Sequence, residues 1–312
     1  MTRPIADPAH APARTRRRQR PFSLLRSALL AALVVVCLAA LPAVLGALRG
    51  GVASGPGRVE GQVALSGLES GACMSFAPAM GQASKTVFLD PGHGGLDPGV
   101  VGQAGGQDVE EKDVALSVGT RLAGLLQSDG YRVVMSRTKD SSVLRLSSSD
   151  AVDGSMKATS VERDLMTRVA CANASNASML LSIHFNAFGD PSVGGTETFY
   201  DDARSFSAEN KRLAGDVQRS LVAALGSTDR GVWTDDQLTT ALTSAGTAYG
   251  HLIELGPAQP GYVDTPSDMP GALVEPLFLT NASEARTADS SSGQQHIAEA
   301  LRAGVERYLS GS

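Results

Sequence analysis

Val87-Phe88-Leu89-Asp90-Pro91-Gly92-His93-Gly94-Gly95-Leu96-Asp97 is the stretch on which the fold turns. Its short apolar run, bounded by turn residues, predicts a buried strand. The glycines that follow let the backbone turn sharply and leave His93 at the strand's end. A second apolar run closes the same way, in Met179-Leu180-Leu181-Ser182-Ile183-His184-Phe185-Asn186. Two histidines delivered at strand ends are candidates to share one metal ion.

Working outward, residues 110–127 carry apolar side chains at Val114, Leu116, Val118, Leu122, Leu125 and Leu126. That spacing predicts an amphipathic helix, closed by Asp129-Gly130. A strand is expected at 131–135, an irregular Ser-rich loop or insertion at 138–159, and a helix at 161–175 leading into the His184 strand. Further strands are expected at 195–200, 249–255 and 272–279, with helices at 207–225 and 294–309. Strands alternating with helices predict a single α/β domain with a mixed, mostly parallel central sheet flanked by helices. No internal repeat is visible.

The 312 residues are 42% hydrophobic, enough for a sizeable core. Charge is unevenly spread. Residues 1–49 hold eight arginines against Asp7, a balance of +7, so the net −5 of the chain leaves −12 for the rest. An acidic body argues against a nucleic-acid partner. Residues 1–26 read as a disordered basic cytoplasmic tail. Residues 27–48 carry no charge, and at 1.5 Å per residue such a helix reaches roughly 33 Å, the thickness of a bilayer's hydrocarbon core. Positive charge before it predicts a transmembrane anchor with the remainder outside. A cleaved signal peptide is the rival, disfavoured by the length of the run and the want of a clear cleavage site after it. Residues 49–84, rich in Gly, Ser and Ala, read as a linker with a short strand near 58–65, and the regular domain is expected from 85 to 310. Cys37 lies in the apolar run. Cys73 and Cys171 are expected to be unpaired buried residues, since Cys73 falls in the linker, although export would permit a bridge.

Of the five histidines, His93, His184 and His251 fall near predicted strand ends, where open α/β sheets place their sites; His10 is in the tail and His296 opens a terminal helix. Dispersed ligands of this kind leave a shared metal and satisfied structural histidines both open. The glycines could instead cradle a phosphate, but Gly92-His93-Gly94-Gly95 lacks the Lys-Ser/Thr of a P-loop. Read together, however, Leu89-Asp90-Pro91-Gly92-His93-Gly94-Gly95, Glu110-Glu111-Lys112 and Ser182-Ile183-His184-Phe185-Asn186-Ala187 closely resemble the zinc N-acetylmuramoyl-L-alanine amidases. These are cell-wall amidases of the catalytic-domain type shared by sporulation and daughter-cell-separation enzymes. Ser136-Arg137, Arg168 with Ala172-Asn173, and the run from Leu273 to Asn281 match as well, so the likeness extends from about Thr86 to Tyr308.

The resemblance implies Zn²⁺ held by His93, Glu111 and His184, Glu111 being chosen over Glu110 because it directly precedes Lys112. It implies a catalytic carboxylate too. Two glutamates end apolar runs, Glu254 and Glu275. Glu275 is assigned as base because Phe278, Asn281 and Glu284-Ala285 follow it in the family's longer pattern, although Pro276-Leu277 departs from the usual Leu-Gly. A zinc so held would acidify water and polarise the scissile carbonyl, with Glu275 taking the water's proton and returning it to the departing amine. The implied substrate is peptidoglycan, cut between N-acetylmuramic acid and L-alanine. Arg137 and Arg168 are read as salt-bridge partners at helix or sheet ends and left out of the site. The alternatives are a zinc peptidase or deacetylase with similar ligands, and a non-catalytic wall-binding or regulatory protein on the same fold.

Overall fold

A computed structural model describes residues 57–238 and 249–311. All of them fall within one compact unit, Val52–Ser312. The basic tail and the apolar run 27–48 lie outside the described residues. Among those described, no helix is long and apolar enough to cross a membrane.

In chain order the elements are β1 (Val59–Gln62), β2 (Ala72–Phe76), β3 (Thr86–Pro91), β4 (Val101–Ala104), β5 (Gln107–Glu110), α1 (Glu111–Ser128), β6 (Arg132–Arg137), β7 (Ala151–Val152) and β8 (Ser155–Met156). There follow α2 (Ala158–Ala174), β9 (Met179–Ile183), β10 (Thr196–Tyr200), α3 (Ser207–Leu225), β11 (Asp229–Thr234), β12 (Gly271–Glu275), α4 (Ala282–Asp289) and α5 (Ser291–Ser310). Eight strands form the main sheet in the order β1-β2-β6-β3-β9-β12-β10-β11. Its centre, β6-β3-β9-β12, is parallel throughout, while β1, β2 and the β12–β10 pair are antiparallel.

The continuous apolar runs seen in the sequence are explained by this centre, because a parallel strand with helices on both sides must be apolar on both faces. Val87, Leu89, Val133, Met135, Leu181 and Val274 point to one side, into a core completed by α1, α3 and α5. Phe88, Val134, Leu180 and Leu273, one residue out of step, meet Cys171 and Ala172 of α2 on the other. A fully buried side chain of this size contributes roughly 1.5–3 kcal/mol, so a register slip of one residue in any central strand would expose a whole row.

Three expectations need correcting. The linker assigned to 49–84 does not reach Lys85: β1 and β2 form one edge of the main sheet, with Ala72, Cys73 and Phe76 buried. β1 falls within the short strand expected near 58–65, whereas β2 is five residues long and buried on both faces, so it shows no alternation. Cys73 and Cys171 are joined, across a sequence separation of 98 residues and a Cα–Cα distance of 5.8 Å, a bridge from the β2 edge to α2. Residues 249–255 are not a strand. Ile253 and Leu255 are buried, but the N–H groups of Leu255 and Gly256 both donate to the Leu252 carbonyl, folding the run into a turn. The place beside β9 is already taken by β12, so this segment buries its apolar side chains without a ladder. The hairpin β4–β5, the strand β11 and α4 are additional to the elements expected from the sequence.

Candidate active site

β3 and β9 are adjacent and parallel, so their C-terminal ends deliver His93 and His184 to one spot. The third group arrives through the β4–β5 hairpin, which turns at Gly105-Gly106 and runs straight into α1. Glu111 is therefore the first residue of a helix and is 2% exposed. The structure brings His93, Glu111 and His184 together. His93 Nε2 is 3.1 Å from Glu111 Oε1, His184 Nδ1 is 3.0 Å from the same oxygen, and the two ring nitrogens are 3.1 Å apart.

The surroundings hold these groups in place. His93 Nδ1 lies 2.9 Å from Asp97 Oδ2, the kind of carboxylate contact that would orient the ring if it held a metal. Phe185 N–H donates to Glu111 Oε1 at 2.9 Å, and Val100 N–H donates to Oε2 at 2.8 Å. Two glycines let backbone press against the cluster. A Cβ on Gly92 would stand 2.3 Å from His184 Cε1, and one on Gly99 would stand 2.5 Å from Glu111 Oε2. His93 itself has φ 62°, a left-handed conformation costly for a non-glycine residue and sustained only by its surroundings.

Those surroundings include two buried guanidinium groups, Arg137 and Arg168. Arg137 Nε donates to the Pro91 carbonyl at 2.9 Å, and its Nη2 donates to the carbonyls of Gly92 and Lys112, each at 2.7 Å. Arg168 donates to the carbonyls of Pro91 at 3.0 Å and His93 at 2.6 Å, while pairing with Asp90 and Asp164, each at 2.9 Å. Both arginines thus clamp the backbone that presents His93. A signal existed: an arginine closing an apolar strand, as Arg137 does, is costly to bury unless fully bonded.

The cluster suits a divalent cation by the chemistry of its donors. Burial pulls the pKa of His93 down, but the Glu111 carboxylate and the Asp97 hydrogen bond override it and raise it to about 10. Despite its burial, the carboxyl of Glu111 is held well below its usual range by the same imidazoles. Three donor atoms converge, and the site demands positive charge at its centre. Two imidazoles and a carboxylate are a donor set that zinc accepts while keeping a further position open. A pocket of about 260 Å³ opens beside His93 and His184, with an apolar wall from Met156, Val161, Leu165, Leu252, Ile253 and Leu273.

Both candidate bases border this centre. Glu275 ends β12, whose Val274 carbonyl accepts from His184 N–H at 3.0 Å, and it stands opposite Glu197 in the β12–β10 ladder. Burial, then the charge of Glu111, pushes its carboxyl well above the usual range, against the pull of His93. Its Oε2 is buried and makes no hydrogen bond. Glu254 lines the pocket instead. Its Oε2 accepts from Ser182 Oγ at 3.1 Å, and that hydroxyl is also 3.1 Å from Asp90 Oδ2; its Oε1 too is buried without a partner. Burial and the neighbouring Asp90 carboxylate raise Glu254 well above its usual range. Glu254 is thus bound into the Asp90–Arg168 network, with one oxygen also within 4.8 Å of a His184 nitrogen, whereas the electrostatic neighbours of Glu275 include Glu111 and His93. Asn281 and Glu284, part of the pattern that pointed to Glu275, are architectural. Asn281 caps α4, and Glu284 accepts from Phe278 N–H at 2.7 Å and Gly195 N–H at 2.8 Å.

A family model described as N-acetylmuramoyl-L-alanine amidase matches residues 87–307. The Bacillus subtilis (strain 168) protein YqiI is 32% identical over 243 residues, covering 76% of this chain and 93% of its own length. The N-acetylmuramoyl-L-alanine amidase LytC of the same organism is 32% identical over 231 residues, 74% of this chain but 36% of LytC. Among solved structures, the CwlD amidase of Clostridioides difficile, determined in complex with the GerS lipoprotein, superposes with a TM-score of 0.58 at 27% identity, covering 73% of this chain and 100% of CwlD.

Proposed function

This chain belongs to the N-acetylmuramoyl-L-alanine amidase family and is a peptidoglycan amidase, and from that premise we propose which of its residues perform the hydrolysis. His93, Glu111 and His184 hold one zinc ion; the observation that carries this is the meeting of their three donor atoms within 3.0–3.1 Å of one another. When bound, zinc supplies a Lewis acid that lowers the pKa of water and polarises a carbonyl. Glu275 is the proton carrier: it accepts the proton of the attacking water and passes it to the nitrogen of L-alanine as the bond to the lactyl group of N-acetylmuramic acid breaks. Its buried, unpaired Oε2 suits that task, because a carboxyl shielded from water binds a proton more readily than an exposed one. The apolar wall from Leu165 to Leu273 suits the methyl groups of the lactyl and alanine units on either side of the amide.

The substrate lies outside the cytoplasmic membrane, and the enzyme acts there. The sequence supports tethering by residues 27–48, with the basic tail left inside. Membrane fractionation decides this: a processed chain released into the medium would exclude the tether.

The deciding test of function is digestion of purified cell wall with the protein, with and without a chelator. Free muramyl glycan and intact peptides beginning with L-alanine are expected, and chelation is expected to abolish both. Release of single D-amino acids would instead identify a carboxypeptidase, and no product from a zinc-loaded, folded protein would identify a non-catalytic member of the family.

A further inference from the structure

A second group of metal-ligating side chains lies apart from the first and shares no residue with it. Asp201 directly follows β10, Asp235 directly follows β11, and His251 sits on the turn before Leu252. These strands are parallel neighbours, so their ends place both carboxylates on one side of the imidazole. His251 Nδ1 is 2.8 Å from Asp201 Oδ2 and 3.2 Å from Asp235 Oδ1. One donor atom from each of the three lies within 4.8 Å of the others, as in the first cluster.

Asp201 is 0% exposed and Asp235 2%. Burying two carboxylates side by side is costly unless something cationic lies between them. Other partners do not meet the need. Ala203 N–H donates to Asp201 Oδ1 at 2.9 Å, and Leu252 N–H donates to Asp235 Oδ2 at 2.8 Å. Arg204, the nearby guanidinium, directs its donors to the carbonyls of Leu255, Gly256 and Ser267 and to the Ser267 hydroxyl. The ring N–H of His251 can be aligned with Asp235, but Asp201 Oδ2, although close, is out of line and receives no hydrogen bond. A buried carboxylate oxygen that receives no hydrogen bond therefore faces an imidazole nitrogen 2.8 Å away and a second carboxylate.

We propose that Asp201, Asp235 and His251 form a second metal site, which takes a divalent zinc-class cation. One imidazole nitrogen with two carboxylate oxygens is a set that zinc accepts, and its hard share of oxygen donors does not favour a thiophilic ion. The cation would tie the ends of β10 and β11 to the turn that carries Leu252, Ile253 and Glu254 into the wall of the pocket. Its role is to brace that wall, and it takes no part in the reaction.

The test counts metal in the full-length chain, stripped with chelator, reloaded with excess Zn²⁺ and desalted. Two equivalents are expected in the wild type and one in both His251→Gln and Asp235→Asn. The double variant His93→Ala/Glu111→Gln is expected to keep one equivalent, and zinc should still raise its Tm; adding His251→Gln should remove that rise. One equivalent in the wild type overturns the proposal whether or not the variants fold, as does retention of two equivalents in a folded His251→Gln. Two ions bound without amidase activity would overturn the catalytic reading and leave this site standing; full activity with one ion would do the reverse.

Discussion

Replacing Glu275 by glutamine separates catalysis from stability more cleanly than any other change at the site. The substitution keeps the side chain's shape and removes its capacity to carry a proton. On the stability side two effects oppose each other. The wild-type carboxyl is buried, with an unpaired Oε2, beside the Glu111 carboxylate; removing its charge relieves that repulsion. The new amide brings N–H groups into the same place, and an unsatisfied buried donor costs about 1–3 kcal/mol. The balance should leave stability within about 1–2 kcal/mol of wild type. Loss of a general acid–base group, by contrast, lowers the rate about 10²–10⁴-fold, equivalent to about 2.7–5.4 kcal/mol of transition-state stabilisation. The assay is release of L-alanine-initiated peptides from purified cell wall, read by mass spectrometry, alongside thermal unfolding and zinc content. A folded, zinc-loaded Glu275→Gln with wild-type turnover would refute the assignment. The control is Glu254→Gln, whose carboxyl is engaged by Ser182 and Asp90; it should lose no more than about tenfold. The opposite ranking of the two variants would move the proton carrier to Glu254.

Other perturbations probe the frame around the site. Arg168→Met strands the buried Asp90 and Asp164 carboxylates and should cost about 3–5 kcal/mol, a fall in Tm of roughly 6–20 °C by calorimetry. Gly92→Ala places a methyl group 2.3 Å from His184 Cε1; zinc content and activity should fall together, while far-UV circular dichroism stays unchanged. Reduction of Cys73–Cys171, which closes a loop of 98 residues, should lower stability by about 2–4 kcal/mol in denaturant titrations. A fragment beginning at Thr86 lacks β1, β2 and Cys73, so it should aggregate through the exposed edge of β6; one beginning before Val59 should remain monomeric in gel filtration.

The residue pattern by itself determined the central layer of this protein. Apolar runs at β3, β9 and β12, each too short for a helix and each ending in chemistry-bearing residues, are what a strand buried on both faces requires, and the helical spacing of α1 and α3 was equally plain. The same pattern put His93 and His184 at strand ends, because glycine and polar residues announce where a strand must stop. What it could not determine was anything depending on neighbours distant in the chain. The meeting of Glu111 with the two imidazoles follows from the adjacency of β3 and β9 and from a hairpin whose Gly105-Gly106 turn is the only local sign of it. The turn at 249–256 carries a strand-like composition, yet its N–H groups close on the Leu252 carbonyl and its apolar side chains are buried without joining the sheet. Cys73 could pair with Cys171 only because β2 occupies an edge of the sheet, and Arg137 and Arg168 became clamps on the His93 loop only once burial forced every donor to find a carbonyl or carboxylate. Local sequence encodes which face of a segment must be buried; tertiary structure decides what that face is buried against, and ligand geometry belongs to the second.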